Sequence, residues 1–258
     1  MREKDWDSEL YLKFAKENNW QCIDLISHIN LENPSKIIDI GCGPGNVTQL
    51  LAQRWPKSHI TGIDNSQSMI ERAKKDFPNL NWELVDAGKD EISGEFDIIF
   101  SRATIQWIPN HFELLIKLRS LLSDNGIIAI QLPLFFDMPV GKSIALISKS
   151  DRWSKFTKGV NELFTIHNYS EYHDLLSKLF SSFNIWESNY IYVLNSQYSI
   201  LERIRTTGLK PYLDQLENDI DKNEFEETVL AEIKKEYPLQ KNGKVLFPFK
   251  RLAFIAKK

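Results

Sequence analysis

The chain has 258 residues, 42% hydrophobic and 26% charged, with a formal net charge of -3 and two cysteines. This suits one large core, or a core with an inserted cap; it leaves no basic excess to grip a phosphate backbone and no disulfide framework, which argues against nucleic acid as a primary partner. The opening MREKDWDSEL lacks a signal peptide's apolar centre, no later run approaches the ~20 apolar residues of a spanning helix, and no Cys-x-x-Cys or His-x-x-His spacing suggests a metal, so a soluble, cytoplasmic, metal-free protein without a membrane partner is expected.

The first helix carries the aromatics of YLKF, suited to a core or a lid. KIIDI then reads as a short strand. After a glycine turn, NVTQLLAQRW places Val47, Leu50, Leu51 and Trp55 at i, i+3, i+4 and i+8, one face of a helix. HITGID reads as strand, Ser66 to Asp76 as a helix capped by Ser66, and NWELVDA as strand. FDIIFSRA, the helix HFELLIKLRSLL and the strand GIIAIQLP follow, with Asn125-Gly126 expected to close that helix. Strands spaced by helices need crossover connections, so the expected fold class is α/β, a Rossmann-like, mostly parallel sheet with helices on both faces.

Past Pro133 the alternation loosens. Residues 134–184 read as helices and loops, with YSEYHDLLSKLF the most amphipathic piece, and IWESNYIYVL as strand. Residues 196–237 read as helical throughout, the acidic run ENDIDKNEFEETVLAEIKKEY being a solvated face, before FKRLAFIAKK returns the chain to the sheet. Without repeats or flexible linkers, residues 1–258 are expected to form a single domain whose helical cap comes from 1–30 and 196–237.

The segment IDIGCGPGNVT puts Gly41, Gly43 and Gly45 directly after the first strand, where bare backbone lets a ligand approach closely. A dinucleotide fingerprint would want a glycine at 46, which is Asn46, so the spacing disfavours NAD and points to another nucleotide or nucleoside. Asp64 ends the second strand about twenty residues on, where a carboxylate meets ribose hydroxyls, and Asp86 ends the third, where one can accept from adenine's exocyclic amine. Loop solvation or an N-cap is the alternative for each acid; their succession favours the ligand.

IDIGCGPG, GIDNSQSMI and VDA in this order resemble the class I S-adenosylmethionine-dependent methyltransferases. That resemblance implies a seven-stranded sheet with its last strand antiparallel, and S-adenosyl-L-methionine as cofactor. It also implies that Gly41 and Gly43 face the methionine part, Asp64 the ribose and Asp86 the adenine, that Asp39 orders the loop, and that Gly45, Asn65, Met69, Ala87 and Ser101 line the same site. More narrowly, WDSELYLKFA, LENPSKIIDIGCGPGNVTQLLAQRWP, ATIQWIPNHFELL, IRTTGLKPYL and EYPLQKNGKVL resemble the trans-aconitate 2-methyltransferase family. This implies methyl ester formation on a carboxylate of a small polycarboxylic acid. Two stretches depart from the family pattern by losing charge or polarity: Asn18-Asn19-Trp20-Gln21, and Leu134-Phe135-Phe136 after IQLP. If they line the pocket, the acid is less charged or more apolar than aconitate.

A carboxylate is ionised at pH 7, so no catalytic dyad is expected; alignment and exclusion of water suffice. The anionic substrate needs donors. The candidates are Arg102 after the fourth strand, Arg203, Arg205 and Lys210 around ERIRTTGLKPY, and Tyr11 and Tyr212, with solvated surface charge as the alternative for the cations. Trp107 is either a wall of the site or plain core. His111 is expected to cap or pack, and Cys42 to be a small filler. A monomer suffices. The rival functions are methylation of a carrier-bound carboxyl or of another small metabolite, NAD-dependent oxidoreduction, and a non-catalytic adenosyl-ligand sensor.

Overall fold

The computed structural model describes Trp6, Glu9 and residues 15–258, the last including 15–19 by backbone alone. Tyr11 and much of the expected 1–30 cap lie outside the described residues. The first described helix is α1 (Ala15–Ser27), followed by β1 (Lys36–Ile40), α2 (Asn46–Arg54), β2 (His59–Asp64), α3 (Gln67–Asp76), β3 (Asn81–Leu84) and β4 (Phe96–Arg102). Then come α4 (His111–Ser120), β5 (Leu122–Pro133), α5 (Pro139–Ile147), α6 (Ser154–Thr157), α7 (Tyr169–Leu179), β6 (Ser182–Leu194), α8 (Gln197–Arg205), α9 (Lys210–Leu213), α10 (Asp219–Glu236) and β7 (Val245–Lys257).

The seven strands form one sheet in the order β3-β2-β1-β4-β5-β7-β6, and the pairings from β3 through β5 are parallel. The chain leaves β1 toward β2 on one side and takes up β4 on the other, so the strand order reverses between β1 and β4. In open α/β sheets ligands bind outside the carboxyl ends of the strands at such a reversal.

Two apolar layers fix these strands. Leu25, Ile26 and Ile29 with Leu51 and Trp55 pack onto Ile37, Ile60, Ile98, Phe100, Ile127 and Ala129. A smaller layer joins Cys42, Ile70, Ala73 and Trp82. Each buried aliphatic or aromatic side chain is worth roughly 1.5–3 kcal/mol, which is what holds parallel strands lacking local pairing. Ser66 caps α3 as expected, accepting from the Met69 amide.

Two expectations are corrected. Asn125-Gly126 does not end α4, which stops at Ser120; the pair lies within β5, where the register jumps from Phe96↔Leu122 to Ile98↔Ile127 and five residues of β5 span two of β4. Gly126 tolerates this because a Cβ there would stand 3.0 Å from Leu122 and from the Phe96 carbonyl. The acidic run of α10 is not merely solvated. Asp221 and Glu224 pair with Arg152, and Glu226 pairs with Arg205.

The chain divides into two compact units: one contains Pro133–Leu163 and Ser188–Arg251, the other Asp5–Leu132, Phe164–Glu187 and Leu252–Lys258. In the first, α10 packs on α5 and α8, the Tyr212 hydroxyl donates to Asn161 Oδ1 at 2.5 Å, and the Val140 amide donates to the Tyr237 hydroxyl at 3.2 Å. In the second, Tyr172 of α7 bonds His111 of α4 and packs its ring 5.3 Å from Phe254 of β7. No described helix is long and apolar enough to cross a membrane.

Candidate functional site

The turn after β1 has Gly41, Gly43 and Gly45 at φ of 71°, 55° and 88°, a conformation costly for residues with a Cβ. The three bare positions serve different ends. A Cβ on Gly41 would lie 2.0 Å from Thr104 Oγ1, and one on Gly45 would lie 2.6 Å from the Trp82 ring; a Cβ on Gly43 would meet nothing within 4 Å. Gly41 and Gly45 therefore admit protein, and Gly43 lines open space.

The carboxyl ends of β1, β2 and β4 hold this turn. The Gly41 and Cys42 amides donate to the Ile63 carbonyl at 2.8 and 3.0 Å. Asp64 accepts from the Gly43 amide on one oxygen and the Ser66 amide on the other, each at 2.9 Å. From β4, the Ser101 hydroxyl donates to the Ile40 carbonyl at 2.9 Å, and from the turn after it the Thr104 hydroxyl reaches the Gly41 and Arg102 carbonyls at 3.3 and 3.2 Å. Between them Ala103 has φ 55°, a left-handed residue with a Cβ, of the kind that clusters at functional sites.

Beneath the turn Asp39 is buried, its carboxylate accepting from Thr48 of α2 at 2.6 Å. Burial pushes its carboxyl up to about 7; the Thr48 bond opposes this, Asp64 adds to it, and Arg102 opposes it. Burial and the charges of Asp39 and Asp64 also push the Cys42 thiol far up, so Cys42 is a filler and not a nucleophile. Arg102 is buried too, and donates to Gln21 of α1 at 2.6 Å. It is a buried cation facing Gln21 and Asp39, not a solvated one.

After β3, Asp86 accepts from the Gly88 amide and Lys89, both at 2.9 Å, and from the Asn65 side chain. Burial pushes its carboxyl up, but Lys89, Gly88 and Asn65 outweigh that and leave it below the ordinary range. The Ala87 carbonyl takes Lys117 at 3.0 Å, and Met69 is buried in α3. Trp107 stands between Trp6, 5.7 Å away edge-on, and Phe164, 4.6 Å away. Gln106 anchors that turn, donating to the Ala103 carbonyl at 2.7 Å while its own carbonyl accepts the Thr165 amide at 2.8 Å. His111 packs as expected: Nε2 donates to the Ile105 carbonyl at 2.8 Å, so Nδ1 accepts from Tyr172 at 2.6 Å.

Arg203, Arg205, Lys210 and Tyr212 belong to the other unit. Arg205 is joined to Glu226, and Lys210 to Asp214 one helical turn on. Tyr212 is buried on Phe225, its hydroxyl pushed far up by burial. Arg203 is buried with its guanidinium 4.0 Å from the Tyr192 ring centre. Phe135, one of the residues departing from the family pattern, is core of this unit: a Cβ on Gly208 would strike its ring at 2.4 Å. Thr48 and Thr104 escaped the sequence reading; for Thr48, a hydroxyl one turn into the helix after a buried Asp was the available signal.

A methyltransferase-domain family matches residues 31–198. The chain is similar to the trans-aconitate 2-methyltransferase of Shigella dysenteriae serotype 1, at 34% identity over 254 residues and 98% of each chain. The enzyme of the same name from Escherichia coli O45:K1 gives 35% over the same shares. Among solved structures, the YcgJ protein from Bacillus subtilis matches with a TM-score of 0.60 at 15% identity, over 93% of this chain and 98% of that one. An O-methyltransferase of a polyketide multienzyme from Brevibacillus brevis, in complex with S-adenosyl-L-homocysteine, gives 0.53 at 16%, over 95% and 75%.

Proposed function

Because this chain belongs to the trans-aconitate 2-methyltransferase family, we propose that it transfers a methyl group from S-adenosyl-L-methionine to a carboxylate of a small polycarboxylic acid such as trans-aconitate, giving the methyl ester, and that it does so in the cytoplasm. The observation that carries the reading is the extent of the match: 98% of both chains, the segments around α8 to α10 included, and not the sheet motifs alone.

The residues fit the donor. Gly43 offers open space at the reversal of strand order, with Asp64 fixed beside it and Asp86 held at the next strand end by Asn65 and Lys89. We assign Gly41, Gly43 and Gly45 to the turn that cradles the donor, Asp64 to its ribose, Asp86 and Ala87 to its base, and Asp39, Asn65, Met69 and Ser101 to the supports behind these contacts. When bound, S-adenosyl-L-methionine supplies an electrophilic methyl on a sulfonium. The chain's own contribution is to bind, orient and exclude water; Trp107, flanked by Trp6 and Phe164, gives an apolar wall for the last of these. No general base is required, since carboxylic acids are ionised at neutral pH. The titratable groups agree: Asp39 is committed to Thr48, the Cys42 thiol is pushed up, and His111 is committed on both nitrogens.

The test is methyl transfer from labelled S-adenosyl-L-methionine to trans- and cis-aconitate, isocitrate, itaconate and monocarboxylic acids, scored by mass spectrometry for the monomethyl ester. Turnover on a polycarboxylate supports the proposal. Turnover only on a carrier-bound carboxyl, or binding of the donor with turnover on nothing, would replace it by the carrier or sensor reading.

A further inference from the structure

Trp6 and Glu9 meet the donor crevice from two sides, and every residue involved belongs to the unit of Asp5–Leu132, Phe164–Glu187 and Leu252–Lys258. Trp6 is half-buried, and its carbonyl accepts from the Ser68 hydroxyl at 2.7 Å. Ser68 lies in the first turn of α3, its hydroxyl 3.2 Å from that of Ser66, whose amide is held by Asp64. The Trp6 ring meets Trp107 edge-on at 5.7 Å, in the turn after β4. One helical turn beyond Ser68 on the same face of α3, Arg72 pairs with Glu9, and Asp76 accepts from the same guanidinium at 2.5 Å and steadies it.

The order of the strands decides what lies beneath. β2 and β4 are the two neighbours of β1, so they run about 10 Å apart at the usual strand spacing. α3 follows the carboxyl end of β2, and the Trp107 turn follows that of β4. A residue bonded to one and packed on the other therefore crosses the carboxyl end of β1, where Gly43 lines open space. Ile108 of the same turn narrows the far side, since a Cβ on Gly88, beside Asp86, would stand 3.1 Å from it. Each tie across the crevice is weak by itself: one neutral hydrogen bond, one ring pair and one exposed ion pair. Weak ties suit a cover that opens at every turnover. We infer that Trp6 is the cover of the bound donor, and that its ties to Ser68, to Trp107 and, through Glu9, to Arg72 set how fast S-adenosyl-L-methionine enters and S-adenosyl-L-homocysteine leaves. The inference rests on the donor site assigned above and adds rate control to it.

The test uses the full chain and follows labelled S-adenosyl-L-homocysteine by rapid filtration, both its entry and its release into excess unlabelled ligand, with Kd from calorimetry. Trp6→Ala should speed release about 30-fold and entry about 3-fold, so that Kd rises about tenfold, or ~1.4 kcal/mol. A side chain that only touches the donor would change release and leave entry alone; faster entry is the mark of a cover. Trp6→Phe, which keeps a ring against Trp107, should stay within about threefold of wild type. Ser68→Ala should speed release about 3- to 10-fold. Glu9→Gln should speed it about twofold at low salt and not at all at about 1 M salt. These two leave the indole in place and carry the test should Trp6→Ala not fold, and Asp64→Ala is the reference for the donor site itself. The cover fails, and the donor site stands, if Asp64→Ala weakens binding more than about tenfold while Trp6→Ala raises release alone, or while it and Ser68→Ala keep both rates within about twofold of wild type. If Asp64→Ala binds as the wild type does, the donor site fails and takes the cover with it.

Discussion

Asp39 has almost no access to water, and its carboxyl is raised from 3.8 to about 7, with burial the main cause. A folded-state pKa above the unfolded one means that the native state holds the extra proton between pH 4 and 7. Stability from this group is therefore full below pH ~4 and lost as pH rises to ~7, a cost on the order of 4 kcal/mol. Asp39→Asn keeps an oxygen for Thr48 and carries no charge. Its Tm advantage over wild type, in the absence of donor, should grow from pH 4 to pH 7 and then level, which melting scans at five pH values would reveal. A constant difference would mean that Asp39 is ionised throughout. The glycines separate by the same kind of contrast. Gly41→Ala puts a Cβ onto Thr104 and should cost ~2–5 kcal/mol of stability; Gly43→Ala should cost only the left-handed strain, ~1–2 kcal/mol, while weakening S-adenosyl-L-homocysteine about tenfold or more. Thermal melts and calorimetry on the two variants read these separately, and equal losses of affinity and stability in both would refute the distinction. Sequence made the three glycines visible as a group, because their spacing is local. Which of them faces protein was not visible, since Thr104 arrives from the turn after β4 and Trp82 from β3.

At the scale of elements, α7 opens with a capping box in which Asn168 accepts from the Ser170 and Glu171 amides and Glu171 returns to the Asn168 amide. Asn168→Ala should cost ~1 kcal/mol, or about 2–4 °C in a chain of this size, by differential scanning calorimetry. The cost should be matched by Glu171→Ala only in part, since that change spares the side-chain acceptor. Beyond the cap, α7 reaches α4 through Tyr172 and His111. Burial lowers the His111 pKa to about 4, so stability from the neutral ring is full above pH ~6.5 and lost as pH falls toward 4, the reverse of Asp39 over an overlapping range. The helices and strands up to β4 were legible because each completes its apolar period within its own length. β5 was misread at its start: Asn-Gly is a stop signal for an isolated helix, but here the stop comes at Ser120 and the glycine serves a bulge whose need is set by β4. The α8 to α10 stretch was legible as helix but not as a network, because the partners of its acids, Arg152 and Arg205, lie 69 to 72 and 21 residues away.

For the molecule as a whole, a donor that binds only the folded chain must raise its melting temperature. S-Adenosyl-L-homocysteine at a hundredfold its Kd should add about 2.7 kcal/mol, a shift of roughly 5–10 °C, and Asp64→Ala should abolish most of it at the same concentration. An undiminished shift in that variant, measured by dye-based melting, would remove Asp64 from the ribose. The mostly parallel sheet and the family were readable from the chain because they rest on motifs repeated after successive strands; the order of the strands was not. The division into two units was not, since two of its boundaries fall inside β6 and β7 and a third at the last residue of β5, within strands that continue across them. That division also limits how the protein can be recombined. The unit of Pro133–Leu163 and Ser188–Arg251 is not a continuous stretch: α5 comes from one segment and α8 and α10 from another, and they pack together. A chimera that exchanges 188–251 with a relative brings in α8 and α10 but leaves α5 facing a foreign partner. An exchange of this unit would therefore need two coordinated crossovers, 133–163 together with 188–251, and laboratory recombination at single breakpoints would mostly yield chains with mismatched halves.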